Sequence, residues 1–376
     1  MPPESSRILF LSVSAGAGHG RAAEALRVVA EKRHGAQTRH WDVMDHVPST
    51  FKKLYTEYYL RLVDKFPAIW AQIYRITDQT PPDATMARLR RAIERLNARS
   101  LRLAIEEFAP HAIVCTHFLP AELLQRERRR GRLATPTFVQ VTDFDLHSLW
   151  VVPELDGYFA ASDEVAYRMR ARGLPADRVH VTGIPIMPVF SQPHLRAECA
   201  REYRLNPDLP TLLLMGGGAG VGALDEAAEK LLHIERDFQL VALAGKNAAM
   251  LDRLSQLAGR YPGKLIPQGY TNRIERLMGA ADLAISKPGG LTTSECLAMG
   301  LPMIVFSPIP GQEERNCDYL LEHGAALKAV DAVALEYRVR KLLENRAALT
   351  RMRDRAKTLG KPAAAVAVME QVVAGL

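Results

Sequence analysis

The sequence predicts an α/β protein made of two doubly wound parallel sheets, and three observations carry that expectation. Short apolar runs rich in Val, Ile and Leu alternate with helical stretches, and the runs are continuous, the pattern of parallel strands covered on both faces. A glycine-rich loop follows the first such run in each half of the chain. Between the halves, Gly183, Pro185, Pro188 and Pro193 crowd a stretch without periodicity, which reads as a linker. A chain of 376 residues is about the length of two such domains.

The elements follow in order. Ile8–Ser14 reads as a strand, Arg21–Arg33 as a helix and Thr38–Val43 as a second strand. Two helical stretches fall within Phe51–Phe108, followed by strand Ala112–Thr116, helix Leu119–Arg130 and strand Thr137–Thr142. Leu155–Ala161, helix Asp163–Arg172 and the short strand Val179–Thr182 complete the first half. The second begins with strand Thr211–Met215, helix Ala223–Ile234, strand Gln239–Leu243 and helix Asn247–Leu257. Strands Lys264–Pro267, Leu283–Ser286 and Met303–Phe306 alternate with helices Ile274–Gly279 and Thr292–Met299. Helices within Glu313–Leu321 and Ala332–Glu344 and in the C-terminal region close the chain. The expected division is therefore residues 1–184, with an insert at 51–132, a linker at 185–196, a second domain at 197–360 and a terminal helix at 361–376 that could pack back on the first domain.

Composition narrows the function classes. Hydrophobic residues at 48% and charged residues at 24% exclude a disordered chain. The formal net charge of +7 suggests an anionic partner. Residues 51–132 hold 16 basic and 9 acidic side chains, and the rest of the chain 33 of each, so one stretch carries the whole excess. Lys52, Lys53, Trp70 and the run Arg128, Arg129, Arg130 mix bases with aromatics, which suits the headgroup region of an anionic leaflet. A solvated helix face has the same composition, whereas no nucleic-acid module is present, so nucleic acid is not an expected partner. Cys115, Cys199, Cys296 and Cys317 are scattered, without metal-ligand spacing, and read as reduced core residues of a cytoplasmic protein. No apolar run nears the roughly 20 residues needed to span a bilayer, so membrane contact is expected to be peripheral.

In doubly wound folds the loops at the carboxyl ends of the strands carry the chemistry. The first is Ser14-Ala-Gly-Ala-Gly-His-Gly20, whose spacing departs from the dinucleotide fingerprint because Arg21 holds the last glycine position. His19 stands at a helix start, where the dipole disfavours its protonated form, and a neutral imidazole there is either a general base or a structural histidine. The second loop, Met215 to Gly222, includes Gly216, Gly217 and Gly218 and forms an anion cradle. It lacks both the Walker lysine and a carboxylate on the next strand, so a diphosphate outside NAD or ATP fits better. The third is Ser286-Lys-Pro-Gly-Gly-Leu-Thr-Thr-Ser-Glu295, where Gly289 and Gly290 open a helix that Thr292, Thr293 and Ser294 can cap. Glu295 reads as a ribose ligand or a capping-box carboxylate. Gln312 and Glu313 begin the following helix.

With these loops laid out, the chain resembles the monogalactosyldiacylglycerol synthase and processive diacylglycerol glucosyltransferase family, which has the GT-B fold. The resemblance rests on Ser14-Ala-Gly-Ala-Gly-His-Gly20, Val141-Thr-Asp-Phe-Asp-Leu-His-Ser-Leu-Trp150, His180-Val-Thr-Gly-Ile-Pro-Ile186, Lys287-Pro-Gly-Gly290 and Pro310-Gly-Gln-Glu-Glu-Arg-Asn316. It implies an N-terminal domain for the lipid acceptor and a C-terminal domain for a UDP-sugar. His19 falls on the family's catalytic histidine, Glu295 on its ribose-binding glutamate, and Gln312 with Glu313 on residues facing the donor sugar. Asn316 follows one turn later on the same helix. Gly216 to Gly218 and Gly289 to Gly290 match the diphosphate cradle. Asp143 or His147 is expected to orient His19 or the acceptor headgroup, the alternative being a loop-capping aspartate.

The implied activity is inverting transfer of glucose or galactose from UDP-glucose or UDP-galactose to diacylglycerol, in one or several rounds. It would take place at the inner face of the cell membrane, aided by anionic lipids. No cofactor or metal is expected, because helix N-termini can stabilise the departing diphosphate. The competing readings are N-acetylglucosamine transfer to a polyprenyl-diphosphate-linked sugar, a UDP-sugar 2-epimerase, and a non-catalytic membrane-binding protein of the same fold.

Overall fold

A computed structural model describes residues 6–14, 16–48, 52, 69, 72, 78, 99–216 and 224–376. Lys53, Trp70, Gly217 and Gly218 lie outside the described residues, as does most of the 51–98 stretch. The chain divides into two compact units, one formed by Met1–Pro188, Pro310–Gln312 and Ala363–Leu376, the other by Val189–Ile309 and Glu313–Pro362.

The first unit holds a six-stranded parallel sheet in the order β2-β1-β3-β4-β5-β6. Its strands are β1 (Arg7–Ser12), β2 (Gln37–Asp42), β3 (Ala112–Cys115), β4 (Thr137–Gln140), β5 (Gly157–Ala160) and β6 (Val179–Val181). Helices α1 (Ala17–His34), α2 (Arg99–Phe108), α3 (Phe118–Arg129) and α4 (Asp163–Ala171) connect them in this region. Ile8, Leu9, Phe10 and Leu11 are all fully buried, which explains why the first strand reads as an unbroken apolar run. From β1 the chain moves outward to β2 and then returns to the other side as β3, so the crevice at the switch point opens beside the carboxyl ends of β1 and β3.

The second unit holds another six-stranded parallel sheet, ordered β12-β11-β10-β7-β8-β9. It contains α5 (Arg196–Glu202), β7 (Thr211–Met215), α6 (Leu224–Leu232), β8 (Gln239–Gly245), α7 (Ala248–Arg260), β9 (Leu265–Gly269) and α8 (Ile274–Ala280). There follow β10 (Leu283–Ser286), α9 (Gly290–Ala298), β11 (Met303–Phe306), α10 (Gln312–Glu322), β12 (Ala326–Ala329), α11 (Ala332–Glu344) and α12 (Arg346–Leu359). Here the switch point lies between β7 and β10, where the second and third glycine loops begin.

The last helix, α13 (Ala364–Ala374), belongs to the first unit. Ala365, Val368, Met369 and Val372 enter one core cluster with Ile8 and Phe10 of β1 and with Leu26 and Val29 of α1.

The structure moves several expected boundaries. Helix α1 begins at Ala17 rather than Arg21, because Gly16 supplies a positive φ of 109° as N-cap, a conformation that an L side chain resists. Helix α5 starts at the end of the stretch expected to be linker, and β12 (Ala-Leu-Lys-Ala) was not anticipated, being an edge strand of weak β formers. Helix α9 begins two residues before the expected Thr292. Its N-cap is Gly289 with no side-chain cap, so the capping roles expected for Thr292, Thr293 and Ser294 are not what the structure contains. Ser294 Oγ instead donates to the Gly290 carbonyl at 2.8 Å, and among the described residues the buried Thr293 hydroxyl finds no hydrogen-bond partner.

Candidate active site

The first unit places His19 in the opening turn of α1, just past β1. Its Nδ1 lies 2.9 Å from the carbonyl oxygen of Thr116 and 3.0 Å from Oγ1 of Thr142. Thr116 and Thr142 follow β3 and β4, so three neighbouring strand ends converge on one ring nitrogen. The Thr116 hydroxyl also donates to the backbone carbonyl of His19 at 2.9 Å. A carbonyl oxygen only accepts, so Nδ1 carries the proton and the Nε2 lone pair is the one left to take another. Burial lowers the His19 pKa from 6.5 to about 4, partly opposed by the Thr116 hydrogen bond, and the imidazole is therefore neutral near pH 7.

Two aromatic rings lie beside this base, their centroids 6.0 Å from each other. His117 meets it edge to face with centroids 4.6 Å apart, and Trp150 lies tilted at 6.2 Å. Nδ1 of His117 accepts the Leu119 amide proton at 3.0 Å, which leaves its own proton on Nε2. Burial, reinforced by nearby His19, holds its pKa well below the ordinary value.

The oxygens within hydrogen-bond distance of His19 Nδ1 belong to Thr116 and Thr142, while Asp143 and His147 have partners of their own. Consecutive residues leaving a strand point to opposite sides, and it is Thr142 that faces the histidine. Asp143 Oδ1 accepts from Nε2 of Gln312 at 2.7 Å, both residues lying within the first unit. His147 caps the short turn Ser148–Trp150, its Nδ1 accepting from the Leu149 amide at 3.2 Å.

In the second unit, Gly216 directly follows β7, and the loop Lys287–Gly289 joins β10 to α9. Gly290 is buried as the first residue of that helix, with Thr292 partly exposed in its first turn. Glu295 lies in the second turn and is buried, too far along for a capping box, which requires the third helical position. Asn316 is fully buried in α10, and its side-chain amide donates to the Pro288 carbonyl at 3.0 Å. Its contact is thus with the glycine loop's backbone, which it braces. Glu313 Oε2 accepts the Ile309 amide proton at 2.6 Å, while Oε1 faces Gly289. Burial raises the Glu313 pKa, opposed by the Ile309 hydrogen bond and by the charge of Lys287.

Sequence reasoning missed Thr116, His117 and Thr142. Each sits one to two residues beyond a correctly placed strand, so the rule that chemistry gathers at carboxyl strand ends was the signal that pointed to them.

The basic surface is partly spent within the protein. Arg128 is held by Asp156 at 2.7 Å and by the Thr135 carbonyl, and Arg129 pairs with Glu154 at 2.9 Å. Lys52 pairs with Asp45 at 2.6 Å. Arg130 is exposed at the end of α3. Among the described residues, no helix is long and apolar enough to cross a membrane.

Comparison with known proteins meets the same site from outside. Residues 19–186 match the monogalactosyldiacylglycerol (MGDG) synthase family, and residues 211–368 match the glycosyltransferase family 28 C-terminal domain. A processive diacylglycerol beta-glucosyltransferase of Bacillus licheniformis is 34% identical over 266 residues, covering 70% of this chain and 69% of that one. The enzyme of the same name from Bacillus pumilus is 29% identical over 370 residues, covering 98% and 95%. Among solved structures, MurG of Acinetobacter baumannii superposes with a TM-score of 0.63 at 15% identity, covering 98% of this chain and 99% of that one, a likeness of fold. Two parallel sheets, a histidine at the first switch point and matches across both halves therefore lead to one conclusion: the chain belongs to the monogalactosyldiacylglycerol synthase and processive diacylglycerol glucosyltransferase family of GT-B glycosyltransferases.

Proposed function

We propose that this protein is an inverting glycosyltransferase that moves glucose from UDP-glucose to diacylglycerol, and then to the sugar already added. The observation that carries the chemistry is the Nδ1–H tautomer of His19, held by the Thr116 carbonyl, which leaves Nε2 as an uncharged base. The acceptor hydroxyl attacks the anomeric carbon from the face opposite UDP. As the new C–O bond forms and the bond to UDP breaks, His19 Nε2 takes the hydroxyl proton. Supporting the donor side, α9 starts at Gly290 behind the N-cap Gly289 with no side-chain cap, so its first-turn N–H groups are not taken by a capping side chain and suit a diphosphate. That arrangement favours a reaction without a metal. Glucose is preferred over galactose because the relatives are named as glucosyltransferases. The acceptor's insolubility places the work at the membrane, and we assign it to the inner face, with anionic lipid as the docking partner.

The test is His19→Ala, assayed with each UDP-sugar on diacylglycerol vesicles, with and without a chelator. Loss of a positioned base lowers turnover by about 100-fold or more, with UDP affinity retained. Undiminished turnover in the variant would overturn the mechanism, and preference for UDP-galactose would overturn the sugar.

A further inference from the structure

Among the described residues, no carboxylate meets the inner nitrogen of His19. Its two Nδ1 partners are both neutral oxygens, the Thr116 carbonyl at 2.9 Å and the Thr142 hydroxyl at 3.0 Å. The carbonyl determines the tautomer, since it can only accept. Thr142 Oγ1 then takes a share of the same N–H, and its own proton is free for a separate acceptor. A ring held by one acceptor can still swing about that bond, whereas two acceptors arriving from different strand ends fix its plane. Both threonines are buried, at 0% and 3% exposure, so water cannot substitute easily for either oxygen. His117 and Trp150 lie beside the ring and close to each other. Among the described residues, the titratable group facing His19 is His117, which is neutral, and no charged side chain contributes to lowering or raising the His19 pKa.

We propose that Thr142 is the positioning residue of this base: its hydroxyl locks the imidazole plane and accepts part of the charge when Nε2 is protonated. This rests on the reading of His19 as base. During transfer the acceptor proton moves to Nε2, the Nδ1–H bond is retained, and the imidazolium shares its Nδ1 proton between two oxygens until Nε2 releases its proton to solvent. The protein thus works with a carbonyl and a hydroxyl where a histidine base could have been paired with a carboxylate. Burial keeps the pKa low, and the base is free near neutrality.

The experiment compares Thr142→Val, which keeps the shape and removes the hydroxyl, with Thr142→Ser, which keeps the hydroxyl. A hydrogen bond to a charged group is worth enough that Thr142→Val lowers kcat by roughly ten-fold or more. KM for donor and acceptor stays within about two-fold, since neither substrate loses a contact. Thr142→Ser recovers kcat to within about three-fold, and an NMR titration of the His19 ring gives a lower midpoint in Thr142→Val than in the parent. If Thr142→Val melts early, Thr142→Ala is read by the same measurements. Equal losses in the Ser and Val variants would mean that the methyl group matters, and would overturn the proposal. So would an unchanged kcat in Thr142→Val. His19→Ala separates the two ideas: inactivity there with full activity in Thr142→Val removes only the positioning role, whereas activity in His19→Ala removes the base itself.

Discussion

His19 and Thr116 hold each other by two hydrogen bonds: Nδ1 of the histidine lies 2.9 Å from the threonine carbonyl, and the threonine hydroxyl lies 2.9 Å from the histidine carbonyl. One bond sets the ring's tautomer and the other pins the first turn of α1 to the end of β3. The residue that holds the proton is thereby tied to the sheet rather than to a free loop.

That clasp has a consequence for pH. The base acts when neutral, and burial lowers the His19 pKa to about 4. Activity should therefore stay flat from neutrality downward and lose its acid limb near pH 4, rather than near the ordinary histidine value of about 6.5. Stability has the same sign. Both His19 and His117 have folded pKa values below the unfolded one, so the unfolded chain binds more protons below about pH 6.5 and stability falls as pH drops from there. Initial rates and thermal melts across pH 4 to 8 check both statements, and an acid limb near 6.5 would contradict the first.

Gly16 is the N-cap of α1 at φ 109°, and among the described residues beyond its chain neighbours no atom lies within 4 Å of where a Cβ would stand. Backbone strain rather than crowding is therefore the obstacle to a side chain. Gly16→Ala should cost about 1–2 kcal/mol and reduce turnover by shifting the helix start that carries His19. Denaturant melts paired with steady-state rates read both effects.

The C-terminal helix is a structural part of the first unit. Met369 is fully buried among Ile8, Phe10 and Leu26 in one core cluster. Met369→Ala should destabilise the first unit by about 2–4 kcal/mol through lost contacts and a cavity, and truncation before Ala363 should do more. Proteolysis protection of β1 and α1 is the direct measurement.

Arg128 and Arg130 are two residues apart but differ in what they are free to do. The first is engaged by Asp156 and the Thr135 carbonyl, the second is exposed. Arg130→Glu should weaken binding to anionic vesicles, with the effect shrinking at high salt. Arg128→Ala should instead lower the melting temperature and leave vesicle binding close to the parent's. Co-sedimentation at two salt concentrations distinguishes them, and equal effects on binding would contradict the assignment.

What the sequence determined by itself is what local physics determines. Unbroken apolar runs of strand length read as strands covered on both faces, and the glycines that follow them read as close backbone turns at strand ends. Those features placed two doubly wound sheets and put His19, Gly289, Gln312 and Glu313 at the loops and helix starts where the structure has them, with Glu295 a turn inside its helix. What only the tertiary structure decided is which side chains meet across long stretches of chain. Thr142 reaches His19 over 123 positions, and Arg128 finds Asp156 over 28. Asn316 reaches Pro288 over another 28. No periodicity encodes such pairs, because a side chain's partner depends on the order in which strands are laid into the sheet. An aspartate beside a histidine motif was the natural candidate to orient the base. At the strand end it is the hydroxyl of Thr142, the residue before it, that lies 3.0 Å from Nδ1.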